Sequence, residues 1–358
     1  MFISALGSVT GHSNRLGFNS ASRAVVILVD GLGSENLRAA AGHAPFLNEA
    51  LKASKSINTV FPSTTASAIT SFGVGANPSV HGILGYSVFD RSAGVVRNLL
   101  TGWNERFDPK DFQLQPSVAT RAISQGVKAF AVGPGEYAQS GFTALNMSGA
   151  EYIAAKSFDD RINATLTIAR YKSRSITYLY FPELDSTAHA SGANSTEWLR
   201  KVEDLDAAVR SLIASLPDQV GVILTADHGI VDVPRESQIL LDELDLPHLI
   251  AVTGDPRNSF LYFEPGTDVY QAKKNLESQV GDRCIVATSS ELKQAGWLAM
   301  TVANEQFLPD LFLISVGVAA CYHRMFAKPQ SLKMIGQHGG ISQAELSVPL
   351  LKFGAFAN

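Results

Sequence analysis

The hydrophobic residues of this chain fall into short apolar runs, rich in β-branched side chains, with stretches of helical periodicity between them. Four of the runs carry the main pattern, at residues 24–29, 128–134, 175–181 and 219–224. Continuous apolar runs of this length predict strands that are buried on both faces, as in a parallel sheet. The alternation of strands and helices therefore predicts an α/β fold with a mostly parallel central sheet.

The predicted helices are defined by apolar positions that recur three and four residues apart. The clearest covers about residues 196–215, where Trp198, Val202 and Leu205 begin such a series. Its opposite face is charged, so it is predicted to be scaffold that packs on the sheet. Shorter helices are predicted at about residues 34–40, 45–53, 65–72, 117–125 and 157–171.

Residues 240–305 follow a different pattern and predict a small α+β cap inserted into the main fold. A strand hairpin is predicted within 249–266, a helix at 268–279, and a strand followed by a helix from residue 284. The apolar run at 308–320 then predicts a return to the central sheet. This divides the chain into a catalytic core of 1–239 and 306–358 around a cap of 240–305.

Composition excludes several classes of protein. The 358 residues are 46% hydrophobic, which is enough for a large core. The net charge is −4 without any basic block, so a general nucleic-acid surface is not expected. Cys284 and Cys321 are too few for a disulfide framework and fit a reducing cytosol, although a single bridge between them stays open.

The terminal segments contain no recognisable targeting or membrane signal. Residues 1–18 lack a basic start followed by a long apolar stretch, so no signal peptide is predicted. The longest apolar run near the C-terminus, residues 311–321, is too short to span a bilayer. These features predict a cytoplasmic protein with no membrane partner, and they leave the oligomeric state open.

Metal-binding side chains follow three of the four predicted strands. An open α/β sheet binds its ligands at the carboxyl ends of its strands, so these positions favour a binding site. One pair is four residues apart in Asp185-Ser-Thr-Ala-His189, which places both side chains on one side of a helical turn. Together with a histidine flanked by glycines near the C-terminus, the candidate ligands are Asp30, Asp185, His189, Asp227, His228 and His338.

Each of these motifs also has an ordinary structural explanation. Asp30-Gly31 fits a common turn, and Asp185 with His189 fits a capping carboxylate beside a surface imidazole. The combination is more specific than its parts, because six such ligands and one hydroxyl are enough to hold two zinc or other divalent ions.

A hydroxyl-rich stretch begins the helix predicted at about 65–72. Its first turn contains Ser63, Thr64, Thr65 and Ser67 after Pro62. The N-terminus of a helix has free N–H groups and a positive dipole, so it suits a phosphate group. The alternative is that these residues only cap the helix. A threonine here would be the nucleophile that attacks phosphorus at a two-metal centre.

Five ordered motifs resemble the alkaline phosphatase superfamily, and within it the nucleotide pyrophosphatase/phosphodiesterase, or type I phosphodiesterase, branch. They are VILVDGLG, FPSTTASAITSFGVGANPSVHGILGY, ELDSTAH, TADHG and GQHGG. The resemblance covers about residues 24 to 351, without detailed identity in the cap. The resemblance implies an alkaline-phosphatase-like three-layer α/β/α fold with a small α+β cap.

The resemblance also implies how the ligands are shared between two zinc ions. It assigns Asp185, His189 and His338 to one ion. It assigns the remaining ligands to the second ion, which they share with the nucleophile oxygen: Asp30, Asp227, His228 and Thr65.

The resemblance further selects Thr65 over Thr64. The family nucleophile lies three residues after the proline and sixteen before the histidine of the His-Gly pair, and Pro62 and His81 both point to Thr65. One position departs from the eukaryotic members, because Tyr86 stands where they carry a phosphate-binding Asn. Its hydroxyl could serve instead, or the N–H of Thr65. Arg257 of the cap could reach a substrate phosphate or lie on the surface.

These features predict a hydrolase of phosphate diester or pyrophosphate bonds that acts on a small phosphoester or nucleotide through a phospho-threonine at a two-zinc centre. An activity like that of phosphonoacetate hydrolase, or a phosphomonoesterase activity, are alternatives on the same site. A metal-stabilised binding protein without catalysis is a third. A redox or nucleotide-binding α/β protein is disfavoured, because no G-x-G-x-x-G or G-x-x-x-x-G-K-[ST] motif follows a strand.

Overall fold

A six-stranded sheet forms the centre of the molecule, and the prediction of a mostly parallel central sheet is confirmed. The computed structural model describes residues 1–112 and 115–357. Five strands run parallel, and the last strand of the chain pairs antiparallel at one edge. In order across the sheet the strands are Leu351–Gly354, Val220–Thr225, Arg23–Val29, Ser175–Phe181, Lys128–Gly133 and Glu151–Ala154.

The strand Arg23–Val29 shows why its sequence is continuously apolar. Side chains alternate between the two faces of a strand. Val25 and Ile27 belong to the hydrophobic core on one face of the sheet. Ala24 and Val26 belong to the core on the other face. Since both faces are covered, both sets of side chains must be apolar, which gives the three-layer α/β/α arrangement.

Helices cover both faces of this sheet. One core receives apolar side chains from Ser34–Ala39, Pro45–Lys52, Phe158–Ala169, Glu183–Ser191 and Thr196–Ser215. The long helix Thr196–Ser215 buries Trp198 completely, as its periodicity predicts. The other core receives apolar side chains from Phe2–Thr10, Thr65–Val74 and Val118–Ser124.

A second, antiparallel sheet of four strands lies in the C-terminal half. Its order is Leu249–Asp255, Asn258–Phe263, Leu311–Ser315 and Cys284–Ala287. The predicted return of 308–320 to the central sheet is wrong, because Leu311–Ser315 pairs with both of its neighbours here. Both faces of this strand are buried, so its apolar sequence could not reveal which sheet it joins. The smaller sheet therefore extends beyond the predicted cap of 240–305.

Short elements complete the chain. Within the described residues, the remaining α-helices are Pro78–His81, Pro109–Phe112, Gly141–Asn146, Val269–Val280, Ser289–Gln294 and Gln343–Leu346. Two-stranded pairs join Ile57–Asn58 to Ser347–Val348, Ser87–Asp90 to Val95–Asn98, Val231–Asp232 to Gly336–Gln337, and Gln238–Leu240 to Ala320–Tyr322.

Two further observations concern the cysteines and the helices. Cys284 and Cys321 are buried free thiols whose sulfur atoms lie 3.6 Å apart. Across residues 1–112 and 115–357, no helix has both the length and the apolar character that a membrane crossing requires.

Candidate active site

Three neighbouring strands of the central sheet place five of the six candidate ligands at one edge. Asp30 directly follows Arg23–Val29, and Asp227 and His228 follow Val220–Thr225. The strand on the other side, Ser175–Phe181, leads into the helix Glu183–Ser191, which carries Asp185 and His189. Because parallel strands end at the same edge, ligands far apart in sequence meet there.

His338 joins this group through backbone pairing. The short strand Gly336–Gln337 runs antiparallel to Val231–Asp232, which lies just after Asp227 and His228. On the C-terminal side of His338, Gly339 forms an isolated bridge with Ser63, which lies just before the helix Thr65–Val74. These two pairings fix the loop that carries His338 between the other candidate ligands and the hydroxyl-rich helix N-terminus.

The six side chains form two adjacent triplets. One contains Asp185, His189 and His338, and the other contains Asp30, Asp227 and His228; in each, one potential ligand atom per residue lies within 4.8 Å of the others. The rings of His228 and His338 stack with centroids 3.6 Å apart, so the triplets touch. The structure therefore brings together every carboxylate and imidazole of the predicted set.

The three imidazoles all present the same nitrogen to the cluster. Nδ1 of His189 lies 2.7 Å from the carbonyl oxygen of Gly336, and Nδ1 of His338 lies 3.3 Å from that of Ser63. Nδ1 of His228 lies 3.2 Å from the carbonyl oxygen of Gly229. A carbonyl only accepts, so each Nδ1 carries a proton and each Nε2 is the nitrogen that a metal ion would take. This is the usual way in which a protein orients histidine toward a metal.

The carboxylates show a complementary feature. Asp30 Oδ1, Asp185 Oδ1 and Asp227 Oδ2 are buried and have no hydrogen-bond partner among the described residues. The other carboxylate oxygens of Asp30 and Asp227 do have donors. Asp30 Oδ2 accepts from the hydroxyl of Tyr180, and Asp227 Oδ1 accepts from the N–H of Gly31 at 3.1 Å. Buried oxygens without donors are unfavourable unless a cation satisfies them. The donor set of carboxylate oxygens and imidazole nitrogens fits zinc and similar divalent ions.

Burial and the neighbouring charges shift the pKa values of the cluster. Burial, together with the charges of Asp227 and Asp185, raises the pKa of Asp30 well above its usual range. Burial also raises the pKa of Asp227. Burial lowers the pKa of His338 far below its usual range, and the neighbouring His228 adds to this. Burial opposes protonation of His189, but the carboxylate of Asp185 raises its pKa to about 9. Three clustered carboxylates repel one another, and divalent cations would relieve that repulsion.

Thr65 is the hydroxyl residue that faces the cluster. It is the first residue of the helix Thr65–Val74, and its Oγ1 lies 3.1 Å from Nε2 of His228. Thr64 instead caps the helix, because its buried hydroxyl accepts from the N–H of Ser67 at 3.4 Å. The geometry thus favours Thr65 over Thr64 as nucleophile.

Gly31 allows the two triplets to approach each other. Its φ of +74° lies in the left-handed region that glycine adopts without strain. A Cβ at this position would also lie 2.6 Å from Cδ1 of Ile230 and 3.1 Å from Cα of Asp185. Any other residue after Asp30 would push the Asp185 helix away from the second triplet.

A cavity of about 500 Å³ opens beside the cluster. Its lining includes Thr65, Asp185, His189 and His338, so a substrate in it would contact Thr65 and one triplet. Tyr86 also lines the cavity and is 37% exposed. Its proposed contact with a phosphoryl oxygen stays a prediction.

The prediction for Arg257 is wrong. Its side chain is fully buried, neither on the surface nor in the cavity. Its Nε lies 2.6 Å from Oε1 of Glu345 and its Nη2 lies 2.8 Å from Oε2. The same carboxylate accepts from the N–H of Gly340 at 2.8 Å. Arg257 therefore supports the loop after His338, because it is paired with Glu345, whose carboxylate also binds that loop.

Sequence reasoning missed two residues of the site. Tyr180 donates to Asp30 from the strand before the Asp185 helix, and its only sequence signal is a hydroxyl within an apolar run. Asp255 is buried, lines the cavity and accepts from the N–H of Tyr86 at 3.0 Å. It lies in a Gly-Asp-Pro turn without any recognisable partner spacing.

The sequence matches the family model described as type I phosphodiesterase/nucleotide pyrophosphatase over residues 24–311. The chain belongs to this family. The family predicted from the five motifs is therefore confirmed.

Individual members of the family are distant in sequence. The mouse bis(5'-adenosyl)-triphosphatase enpp4 is 25% identical over 283 residues, which are 75% of this chain and 60% of the relative. The rat ectonucleotide pyrophosphatase/phosphodiesterase family member 1 is 26% identical over 219 residues, 56% of this chain and 23% of the relative. The chain thus spans about three fifths of the first of these relatives and less than a quarter of the second.

Solved structures of family members share the fold. Murine ectonucleotide pyrophosphatase/phosphodiesterase 5, an inactive variant in complex with AMP, has a TM-score of 0.73 at 18% identity and covers 93% of this chain and 88% of its own. The human protein of the same name has a TM-score of 0.71 at 16% identity, covering 92% and 87%. The predicted α/β fold class is confirmed.

Proposed function

We propose that this family member is a metal-dependent hydrolase of phosphate diester or pyrophosphate bonds, with a nucleotide or another small phosphoester as its substrate. The observation that carries the proposal is the position of Thr65. Its hydroxyl lies at a helix N-terminus, in a cavity, and 3.1 Å from Nε2 of His228 beside two metal-binding triplets. The printed names of the relatives, and the AMP bound to one of them, support a nucleotide substrate.

The two triplets would hold two zinc or other divalent ions. One ion would be bound by Asp185, His189 and His338. The other would be bound by Asp30, Asp227 and His228, together with the Thr65 oxygen. Their orphaned carboxylate oxygens and aligned Nε2 atoms fit such ions. Divalent ions in this setting supply positive charge to the phosphoryl oxygens and lower the pKa of a bound hydroxyl.

The protein itself supplies the nucleophile and the phosphate cradle. Oγ1 of Thr65 attacks phosphorus, so that a threonine–phosphate ester forms as the bond to the leaving oxygen breaks. The first N–H groups of the helix Thr65–Val74, at the positive end of the helix dipole, would bind the oxygens of a phosphoryl group at Thr65. Water then attacks phosphorus and releases Thr65 for another turnover.

Removal of metal is expected to abolish hydrolysis. Protein dialysed against a chelator should lose its activity on bis(p-nitrophenyl) phosphate, because the charge that stabilises the transition state is gone. Zinc should restore the rate measured by nitrophenolate release. Full activity in demonstrably metal-free protein would contradict the proposal.

The same assay distinguishes the substrate classes. The zinc-restored protein should cleave bis(p-nitrophenyl) phosphate faster than p-nitrophenyl phosphate or phosphonoacetate. A matched Asp185→Asn variant should lose zinc from the first triplet and stay inactive after the same treatment, since it lacks one charge of that triplet.

A further inference from the structure

The carboxyl group of Asp255 is hydrogen-bonded to the loop after the nucleophile helix, which is the helix Thr65–Val74. It ends the strand Leu249–Asp255 of the smaller sheet and is only 8% exposed. Its Oδ2 accepts from the N–H of Tyr86 at 3.0 Å. The same oxygen lies 3.1 Å from where a Cβ on Gly85 would stand. The side chain is therefore held close against residues 85 and 86.

Asp255 also borders the N-terminus of the nucleophile helix. Its Cβ lies 3.1 Å from the position that a Cβ on Gly339 would take, and Cγ2 of Thr64 lies 3.4 Å from the same point. Thr64 is the N-cap of this helix, and Thr65 and Asp255 line one cavity. A phosphoryl group bound to Thr65 would thus have this carboxyl group as a neighbour.

The charge of this neighbour is negative under mildly alkaline conditions. Burial raises the pKa of Asp255 to about 7, although the N–H of Tyr86 and the charge of His189 oppose the rise. Among the described residues that line the cavity, Lys328 is the only lysine or arginine. Arg257, two residues further along the chain, is turned away toward Glu345. Apart from the imidazole of His189 in the first triplet, Lys328 is therefore the one cationic side chain that the described lining offers to extra charge on a substrate.

The charge of the substrate decides what this arrangement favours. The phosphoryl group of a diester carries one negative charge, whereas that of a monoester carries nearly two at this pH. A fixed carboxylate repels the second charge, and repulsion between like charges is an effective way to exclude a wrong ligand.

We propose that Asp255 is a specificity-determining residue that excludes dianionic terminal phosphates from the site and so favours singly charged diester phosphoryl groups. The inference rests on the proposed function, since it concerns the phosphoryl group that Thr65 attacks. It differs from a structural role for Asp255, which would affect all substrates equally.

Asp255→Asn separates these two roles. The amide oxygen of Asn can still accept from the N–H of Tyr86, so the loop stays attached while the charge is lost. At pH 8, the ratio of kcat/KM for p-nitrophenyl phosphate to that for bis(p-nitrophenyl) phosphate should rise about tenfold or more. Asp255→Ala, which also lacks the charge, should shift the ratio in the same direction.

Asp206→Asn is a matched control. Asp206 is a buried carboxylate that accepts from the N–H groups of Phe46 and Leu47, and it does not line the cavity. Its substitution should leave the ratio unchanged. Melting temperature and zinc content, measured for each variant, ensure that the folded, loaded proteins are compared.

Phosphate binding provides a readout that does not depend on turnover. Inorganic phosphate, titrated calorimetrically into zinc-loaded protein at pH 8, should bind Asp255→Asn about tenfold more tightly than wild type or Asp206→Asn. Unchanged phosphate affinity and an unchanged ratio in both Asp255 variants would overturn the inference. If the wild type cleaves neither ester, the proposed function fails, and the phosphate titration alone decides the role of Asp255.

Discussion

Replacing Thr65 by alanine is expected to lower the turnover of bis(p-nitrophenyl) phosphate by roughly 10⁴-fold or more, as loss of a catalytic nucleophile does in other hydrolases. The hydroxyl lies 3.1 Å from Nε2 of His228 and Thr65 lines the cavity, so the substitution removes the attacking oxygen from beside the cluster. Steady-state rates on zinc-loaded wild type and variant, with zinc content measured on the same samples, give the ratio.

The adjacent threonine is the matched control. Thr64→Ala removes the N-cap, which costs about 1 kcal/mol of stability, but it leaves the nucleophile in place. It should keep most of the wild-type rate. Thr65→Ser, which retains a hydroxyl, should keep a measurable rate. If Thr65→Ala retained full turnover, or if Thr64→Ala were the inactive variant, the covalent step assigned to Thr65 would be wrong.

Arg257→Met is expected to reduce the free energy of unfolding by about 3–5 kcal/mol, which is the usual penalty for leaving one member of a buried ion pair uncompensated. Both Arg257 and Glu345 are fully buried, and they make two hydrogen bonds to each other. The variant leaves the Glu345 carboxylate buried among the N–H groups of Gly340 and Ser342 without its counter-ion. Urea unfolding monitored by tryptophan fluorescence measures the change.

Two comparisons make this prediction specific. Arg324→Met breaks an exposed pairing with Asp242 and Glu243 and should change stability by no more than about 1 kcal/mol. Adding Glu345→Gln to Arg257→Met should recover part of the loss, because the second substitution removes the uncompensated charge. A destabilisation by Arg257→Met no larger than that by Arg324→Met would show that the buried pair does not hold the loop after His338.

The sequence predicted the central sheet and the ligands for one physical reason. A parallel strand buried on both faces must be apolar throughout, so the polar residue that ends it is conspicuous, as Asp30 and Asp227 are. The four-residue spacing of Asp185 and His189 required only a helical turn, and the structure provides it. The glycine-rich motif marked His338 as a candidate ligand, but only the resemblance to the family grouped it with Asp185 and His189, because its place depends on pairing with a distant loop.

The rest depended on contacts that leave no local pattern. Leu311–Ser315 is apolar on both faces in either sheet, so the sequence could not choose its partner strands. Arg257 looked available to a phosphate because Glu345, its partner, lies 88 residues away in the chain. Asp255 gave no signal because its role comes from the approach of two loops to one turn.

The central claim is that each triplet holds one divalent ion beside Thr65, and metal content tests it most directly. Elemental analysis of protein loaded with zinc and freed of excess should find about two ions per wild-type chain. His189→Ala and Asp30→Ala, which disrupt different triplets, should each retain about one ion. A wild-type content well below one ion per chain, or the same content in both variants as in the wild type, would contradict the account.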